Sequence, residues 1–211
     1  MGSPREGSGR VTRTPIPTVT EDVKALITDM DGTLVDLGIN WDEVREKVRK
    51  EMGWDHPLRP LGVSITKVAK NEDEVKKAYS IVEREEYQAA FKAKRDEELV
   101  NLLSSLKRRG IKLALVTMQA YRSTEVVLKR LGLIDLFDVV ITRDIVIGRE
   151  EQLRIALEKL GVSPKEAVFV GDTPWDYESA KKLGIRFISV GTCYEKAPCV
   201  NNFKEIGEIL M

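Results

Sequence analysis

The sequence predicts an α/β fold built on an open parallel sheet, with a helical subdomain inserted after the first strand. Three observations carry this. Short apolar runs recur along the chain and alternate with helical patterns, as βαβ units require. Gly132, Gly161 and Gly184 follow three of those helical stretches, where a C-terminal cap needs a residue tolerant of positive φ. The long interval between the first apolar run and the second holds helical patterns but no convincing strand.

Taken in order, Val23-Lys24-Ala25-Leu26-Ile27-Thr28 reads as a short buried strand. Trp41 to Met52 is amphipathic, with Trp41, Val44, Val48 and Met52 on one face. Leu58-Arg59-Pro60-Leu61-Gly62 breaks the pattern with poor helix formers, and 72–94 is strongly helical and highly charged. A further helix over 95–109 ends at Gly110 and returns the chain to the sheet. A crossover needs only one helix, so 40–94 is expected to be an insert, with 21–39 and 95–211 forming the core. Strands follow at 112–117, 138–142, 167–171 and 186–190, helices at 122–131, 150–160 and 175–183, and a last short helix at 203–210. Residues 1–20, rich in Gly, Ser, Pro, Thr and Arg, lack the apolar centre of a signal peptide and read as a disordered leader.

Composition narrows the function. Lys+Arg and Asp+Glu balance at 34 each, and no basic stripe suggests a nucleic-acid partner. No apolar run approaches the roughly 18–20 residues of a membrane span, so a cytoplasmic location is the default. The single His56 excludes chemistry built on a histidine pair and reads as a surface-loop residue. Cys193 and Cys199 match no zinc spacing. Two reduced thiols are the favoured reading, with a local disulfide left open, since intracellular hyperthermophile proteins can be disulfide-rich.

The chemistry is concentrated in four places. Asp29-Met30-Asp31-Gly32-Thr33 closes the first strand, which would set two carboxylates at the carboxyl edge of the sheet. Alternation along an extended backbone points both to the same side. Like charges that close raise each other's pKa or need a cation between them, and Mg²⁺ is held by carboxylates together with substrate phosphate oxygens. Thr117 ends the second strand, where a hydroxyl can donate to phosphate or simply be a β-branched residue in its preferred place. Arg149 opens a helical stretch and is either a phosphate clamp or a solvated arginine. Gly171-Asp172-Thr173-Pro174-Trp175-Asp176 follows an apolar strand. Its aspartates could face the first pair or serve as helix caps.

The two acidic strings, in this order and each after a strand, resemble the first and last signatures of the haloacid dehalogenase (HAD) superfamily. The resemblance covers nearly everything from residue 21 to 211 and implies a Rossmann-like core with a small helical cap at 40–94. By that resemblance Asp29 would be the nucleophile and Asp31 the acid and base. Mg²⁺ would be held by Asp29, the backbone carbonyl of Asp31, and Asp172, with Asp176 completing or supporting the shell. Thr117 and Arg149 would bind the phosphoryl group. The family usually has Lys where Arg149 stands, and its Pro-containing stretch after the cation is trimmed here, so Arg143 is kept as the alternative.

The implied activity is a Mg²⁺-dependent phosphatase acting on a small phosphorylated metabolite through an aspartyl-phosphate. Alternatives are a phosphomutase, a phosphonate hydrolase or a non-catalytic binding module. A phosphonate hydrolase needs a reactive cap lysine, for which Lys47, Lys50, Lys67 and Lys70 are candidates. Trp54, Arg59 and Lys67 are candidates for the cap entrance. Nothing in the sequence specifies an oligomeric state.

Overall fold

The computed structural model describes residues 22–194 and 197–211; the leader expected at 1–20 lies outside them. Six parallel strands, β1 (Ala25–Thr28), β2 (Lys112–Val116), β3 (Val139–Ile141), β4 (Ala167–Gly171), β5 (Arg186–Val190) and β6 (Cys199–Val200), form one sheet in the order β3-β2-β1-β4-β5-β6. In register, Ile27 lies between Ala114 of β2 and Phe169 of β4. Each predicted apolar run holds a strand: β4 and β5 with the expected bounds, β1, β2 and β3 with slightly trimmed ends.

Alternation along the strands builds two cores. Leu26, Leu113, Leu115, Val168, Val170 and Ile188 point to one face, where α4 (Glu97–Arg108) and α5 (Tyr121–Leu131) cover them. Ile27, Ala114, Val116, Phe169 and Phe187 point to the other, under α6 (Arg149–Leu160) and α7 (Pro174–Leu183). Burial on both faces explains why the strands read as continuous apolar runs. The chain moves from β1 outward to β3, then crosses back to place β4 on the other side of β1. That reversal opens a crevice beyond the carboxyl ends of β1 and β4, where open α/β sheets bind ligands.

Between β1 and β2 stand α1 (Trp41–Met52), α2 (Leu61–Val68) and α3 (Glu72–Ala90). They share a core of their own, centred on Val44, Val48, Leu58, Ile65, Ala78, Ile81 and Val82. Asn40 and Asn71 cap α1 and α3 by accepting the N–H of Glu43 and Glu74.

Several expectations need correction. Helix α2 begins at Leu61, inside the segment read as an interruption, with Pro60 at its N-cap, where a missing N–H costs nothing. Helix α3 stops at Ala90 rather than 94. The expected helix at 203–210 is a 3₁₀ turn over Phe203–Ile206 leading into α8 (Gly207–Leu210). Strand β6 is two residues long, too short for any hydrophobic pattern to announce it. His56 does lie in a loop, as expected, but is half-buried there, its Nδ1 accepting the Leu58 N–H at 2.9 Å. Cys193 and Cys199 are not reduced thiols but a disulfide, closed across the excursion between β5 and β6 with Cα atoms 5.2 Å apart. Among the described residues no helix is long and apolar enough to cross a membrane.

Candidate active site

The site grows out of the ends of β1 and β4. The Asp29 N–H donates to the Val170 carbonyl at 3.0 Å, carrying the strand pairing one residue beyond β1. The chain then turns, with Leu34 and Val35 N–H groups both donating to the Met30 carbonyl. Gly32 has φ +85°, and a Cβ there would lie 2.5 Å from Asp172 Oδ2. Only glycine supplies both the left-handed backbone and the close approach. Gly171 serves the same packing from β4, since its Cβ would meet the Asp176 Cβ at 2.7 Å.

These approaches bring Asp29, Asp172 and Asp176 together, with one carboxylate oxygen from each within 4.8 Å of the others. Arg149, at the start of α6, reaches into the same group. Its Nη2 donates to Asp29 Oδ1 at 2.5 Å, its Nε to Asp176 Oδ1 at 2.6 Å and its Nη1 to Gln152 Oε1 at 2.9 Å. Asp29 and Asp176 are buried. Three carboxylates against one guanidinium leave two negative charges uncompensated, which a divalent cation could balance. The donor set is all oxygen, which suits a hard cation such as Mg²⁺.

The ionisation of the acids reflects the same surplus. Burial raises the Asp29 carboxyl well above its usual range; Arg149 opposes the rise, and Asp176 and Asp172 add to it. The 2.5 Å contact with Arg149 nevertheless calls for the carboxylate form. Burial likewise pushes Asp172 up to about 6, against the Thr33 hydrogen bond and with Asp176 and Asp31 adding.

Asp31 takes a different position. Its Oδ1 accepts the Leu37 N–H at 2.9 Å and its Oδ2 the Trp41 indole N–H at 3.1 Å. Strand pairing ends at Asp29 and the chain turns from Met30, so the alternation expected to align Asp29 and Asp31 does not carry on to Asp31, whose carboxylate stays outside the trio. Burial raises its pKa, opposed by the Leu37 and Trp41 donors. Thr117 is buried just beyond β2, and its Oγ1 accepts the Gln119 N–H at 3.1 Å.

Several residues that sequence reading did not single out hold this arrangement. The Thr33 hydroxyl donates to Asp172 Oδ1 at 2.8 Å. Thr173, as N-cap, joins Asp176 in a capping box at the start of α7, so Asp176 both faces the cluster and serves as a helix cap. Fully buried Gln152 donates from Nε2 to the Thr117 carbonyl at 2.7 Å while accepting from Arg149. Its position three residues after Arg149 on one helix was the available clue.

Arg143, the alternative cation, lies elsewhere. Its Nη1 donates to Glu86 Oε1 at 2.5 Å and to the Met118 carbonyl at 2.9 Å, and its guanidinium sits over the Tyr79 ring. Glu86 Oε2 also accepts the Ala120 N–H at 3.1 Å, so this pair ties α3 to the core. In the insert, Lys47, Lys50, Lys67 and Lys70 are all exposed. Arg59 is bonded to Asp42, and Trp54 packs into the insert's own core.

A family model described as haloacid dehalogenase-like hydrolase matches residues 26–190. A phosphoglycolate phosphatase from Aquifex aeolicus is 28% identical over 177 residues, covering 78% of this chain and 83% of that protein. Among solved structures, a HAD phosphatase from Thermococcus onnurineus is 26% identical with a TM-score of 0.60, covering 89% of this chain and 97% of its own. A HAD-superfamily hydrolase of subfamily IA from Geobacter sulfurreducens is 25% identical with a TM-score of 0.64, covering 89% and 100%. The family match spans both acidic strings, strands β2 to β5 with nearly all of β1, and the insert between β1 and β2. This chain belongs to the haloacid dehalogenase-like hydrolase family.

Proposed function

We propose that this chain is a Mg²⁺-dependent phosphatase that hydrolyses a small phosphate monoester through an aspartyl-phosphate on Asp29, with 40–94 as its cap. The observation that carries the reading is the convergence of Asp29, Asp172, Asp176 and Arg149 at the β1/β4 crevice with two negative charges in excess. Asp29, Asp172 and Asp176, with the Asp31 backbone carbonyl, are the groups that would hold Mg²⁺. Bound there, Mg²⁺ would shield an anionic carboxylate from an anionic phosphate.

The chain's own residues supply the rest. Asp29 attacks phosphorus, forming a carboxyl O–P bond as the ester P–O bond breaks. Asp31, its carboxyl raised by burial and oriented by Leu37 and Trp41, gives its proton to the leaving oxygen. It then takes a proton from the water that attacks the phosphorus, and the P–O bond to Asp29 breaks to release phosphate. Thr117 donates its hydroxyl to a phosphoryl oxygen, and the Arg149 guanidinium neutralises charge on the others. Gln152, bonded to both Thr117 and Arg149, fixes the distance between these two contacts. The exposure of Lys47, Lys50, Lys67 and Lys70 weighs against a phosphonate hydrolase, whose lysine must be desolvated to be nucleophilic.

The test is release of inorganic phosphate from an aryl phosphate. Mg²⁺-dependent turnover is expected, abolished by excess chelator and poorly restored by Ca²⁺, which prefers more ligands at longer distances. Asp29→Asn should retain less than roughly 1% of it, about 3 kcal/mol in barrier, with an unchanged circular dichroism spectrum. Full activity in excess chelator, or in Asp29→Asn, would overturn the reading.

A further inference from the structure

Asp172 is held from two directions. The Thr33 hydroxyl fixes its side chain, and the Tyr194 hydroxyl donates to its backbone carbonyl at 2.9 Å. The Tyr194 ring stacks on Tyr177, with centroids 5.3 Å apart and planes 7° from parallel. Tyr177 directly follows Asp176 on α7. Tyr194 thus touches the peptide of one clustered acid and the helix carrying another.

Tyr194 stands on an excursion from the sheet edge. Ser189 N–H donates to Pro198 O and Gly191 N–H to Val200 O, joining the two ends of that excursion. The disulfide Cys193–Cys199 closes it a second time, immediately beside Tyr194. A cross-link of this kind removes conformations from the loop it closes, so the phenol is presented to Asp172 at lower entropic cost. Cys193 is exposed and open to attack by a dithiol. Exchange would break the S–S bond, leave two thiols on the chain and oxidise the dithiol to its own disulfide, a transfer of two electrons and two protons.

We propose that Tyr194 is a positioning residue for the acid cluster, and that the Cys193–Cys199 disulfide makes divalent-cation affinity sensitive to thiol redox state by holding Tyr194 in place. The inference rests on reading Asp172 as a metal ligand. Groups behind the ligands orient them, and losing one typically weakens metal affinity by about ten- to a hundredfold.

Calorimetric titration of the chelator-treated full chain with Mg²⁺ tests this without any turnover. Tyr194→Phe keeps the ring stack and loses the hydroxyl. It should bind Mg²⁺ about tenfold more weakly, while the Tm of the metal-free protein moves by no more than about 2 °C. Reduction of the wild type by dithiothreitol should weaken binding about three- to tenfold, and the Cys193→Ser/Cys199→Ser chain should match the reduced protein. In Tyr194→Phe the redox difference should vanish, because the disulfide acts through the phenol. If the double variant does not fold, the reduced wild type carries the test. Equal Mg²⁺ affinity in oxidised, reduced and Tyr194→Phe protein overturns the inference and leaves the metal site standing. A lowered Tm with unchanged affinity assigns Tyr194 a purely structural role and also overturns it. Failure of the oxidised wild type to bind Mg²⁺ removes the metal reading and the inference together.

Discussion

Arg143 lies in the loop after β3 and Arg149 at its far end, and both side chains are largely withdrawn from water, yet their surroundings differ in one decisive respect. Arg143 faces one carboxylate, Glu86, and the pair is electrically balanced. Arg149 faces Asp29 and Asp176, with Asp172 close by, and the group carries an excess of negative charge. A balanced buried pair has its charge already satisfied; removing either partner strands the other. An unbalanced cluster is unstable by itself and calls for a cation. Burial does not distinguish these two arginines, but local charge balance does.

The largest expected effects come from exchanging the two arginines' roles in the test tube. Arg149→Ala should lower kcat on the order of 10²-fold or more, as for a preorganised electrostatic partner. Arg149→Lys should recover part of it, since ammonium keeps the charge without the planar fork. Arg143→Ala should leave kcat within about threefold at a temperature where the protein is folded, but destabilise it by about 3–5 kcal/mol by stranding Glu86. Replacing the pair together, Glu86→Leu with Arg143→Met, should restore most of that stability. Denaturant unfolding and steady-state kinetics on the same samples check both halves. Normal kinetics for Arg149→Ala with a crippled Arg143→Ala would reverse the assignment.

Stability without turnover sharpens the comparison further. Saturating Mg²⁺, at about a hundred times its Kd, should stabilise the wild type by about 2.7 kcal/mol. Asp172→Asn removes one of the surplus charges while its amide oxygen can still accept from Thr33. In chelator it should be more stable than the wild type by about 1 kcal/mol, after allowance for solvent screening, and its Tm should no longer respond to Mg²⁺. Glu86→Gln should lose stability whether or not Mg²⁺ is present. If Asp172→Asn is destabilised in chelator, the cluster was not strained by its charge.

Much of this was legible in the chain because the core strands are buried on both faces and therefore apolar throughout. The five longer strands and the helices packed on them announce themselves in that way, as do the acidic strings at the ends of β1 and β4. Arg149 was selected only by its place relative to those strings, and the same reading could not exclude Arg143. Which arginine meets surplus charge depends on the crossing of distant strands, which no local pattern records. The disulfide was hidden for a related reason. Its closure depends on Cys199 entering the sheet beside β5, and a two-residue strand has no periodicity. Tyr194 and Thr33 each act through one hydrogen bond to Asp172, far along the chain, so their residue types carried no signal, whereas Gln152 was marked only by its spacing from Arg149. Helix α2 was not legible because the poor helix propensity of residues 58–62 is overridden by tertiary packing, which Ile65 supplies from the insert's core.

A third ion pair, at the surface, sets the small end of the scale. Lys24 donates to Glu166 at 2.5 Å, joining the entry of β1 to that of β4 at the edge of the sheet away from the acids. Glu166 also accepts from the Ser163 N–H and hydroxyl, both at 2.8 Å. The Lys24 bond first, then those of Ser163, lower the Glu166 carboxyl from 4.5 to about 2. A carboxyl whose pKa is depressed on folding binds fewer protons in the native state, so its stabilisation is complete above the unfolded value. It is lost as pH falls from about 4.5 towards about 2. Glu166→Gln should therefore cost a small amount of stability at neutral pH, the least of any change considered, because exposed pairs are screened by water and salt. The Tm difference between wild type and Glu166→Gln, followed from pH 7 downward, should hold steady to about pH 5 and shrink towards zero near pH 2. A difference that persisted at pH 2, or widened on acidification, would show that Gln disturbs packing at the β4 entry and that charge at this position contributes nothing. The same titration on Asp172→Asn should leave the Glu166 profile unaltered, since the two lie at opposite ends of β4 and independent sites add.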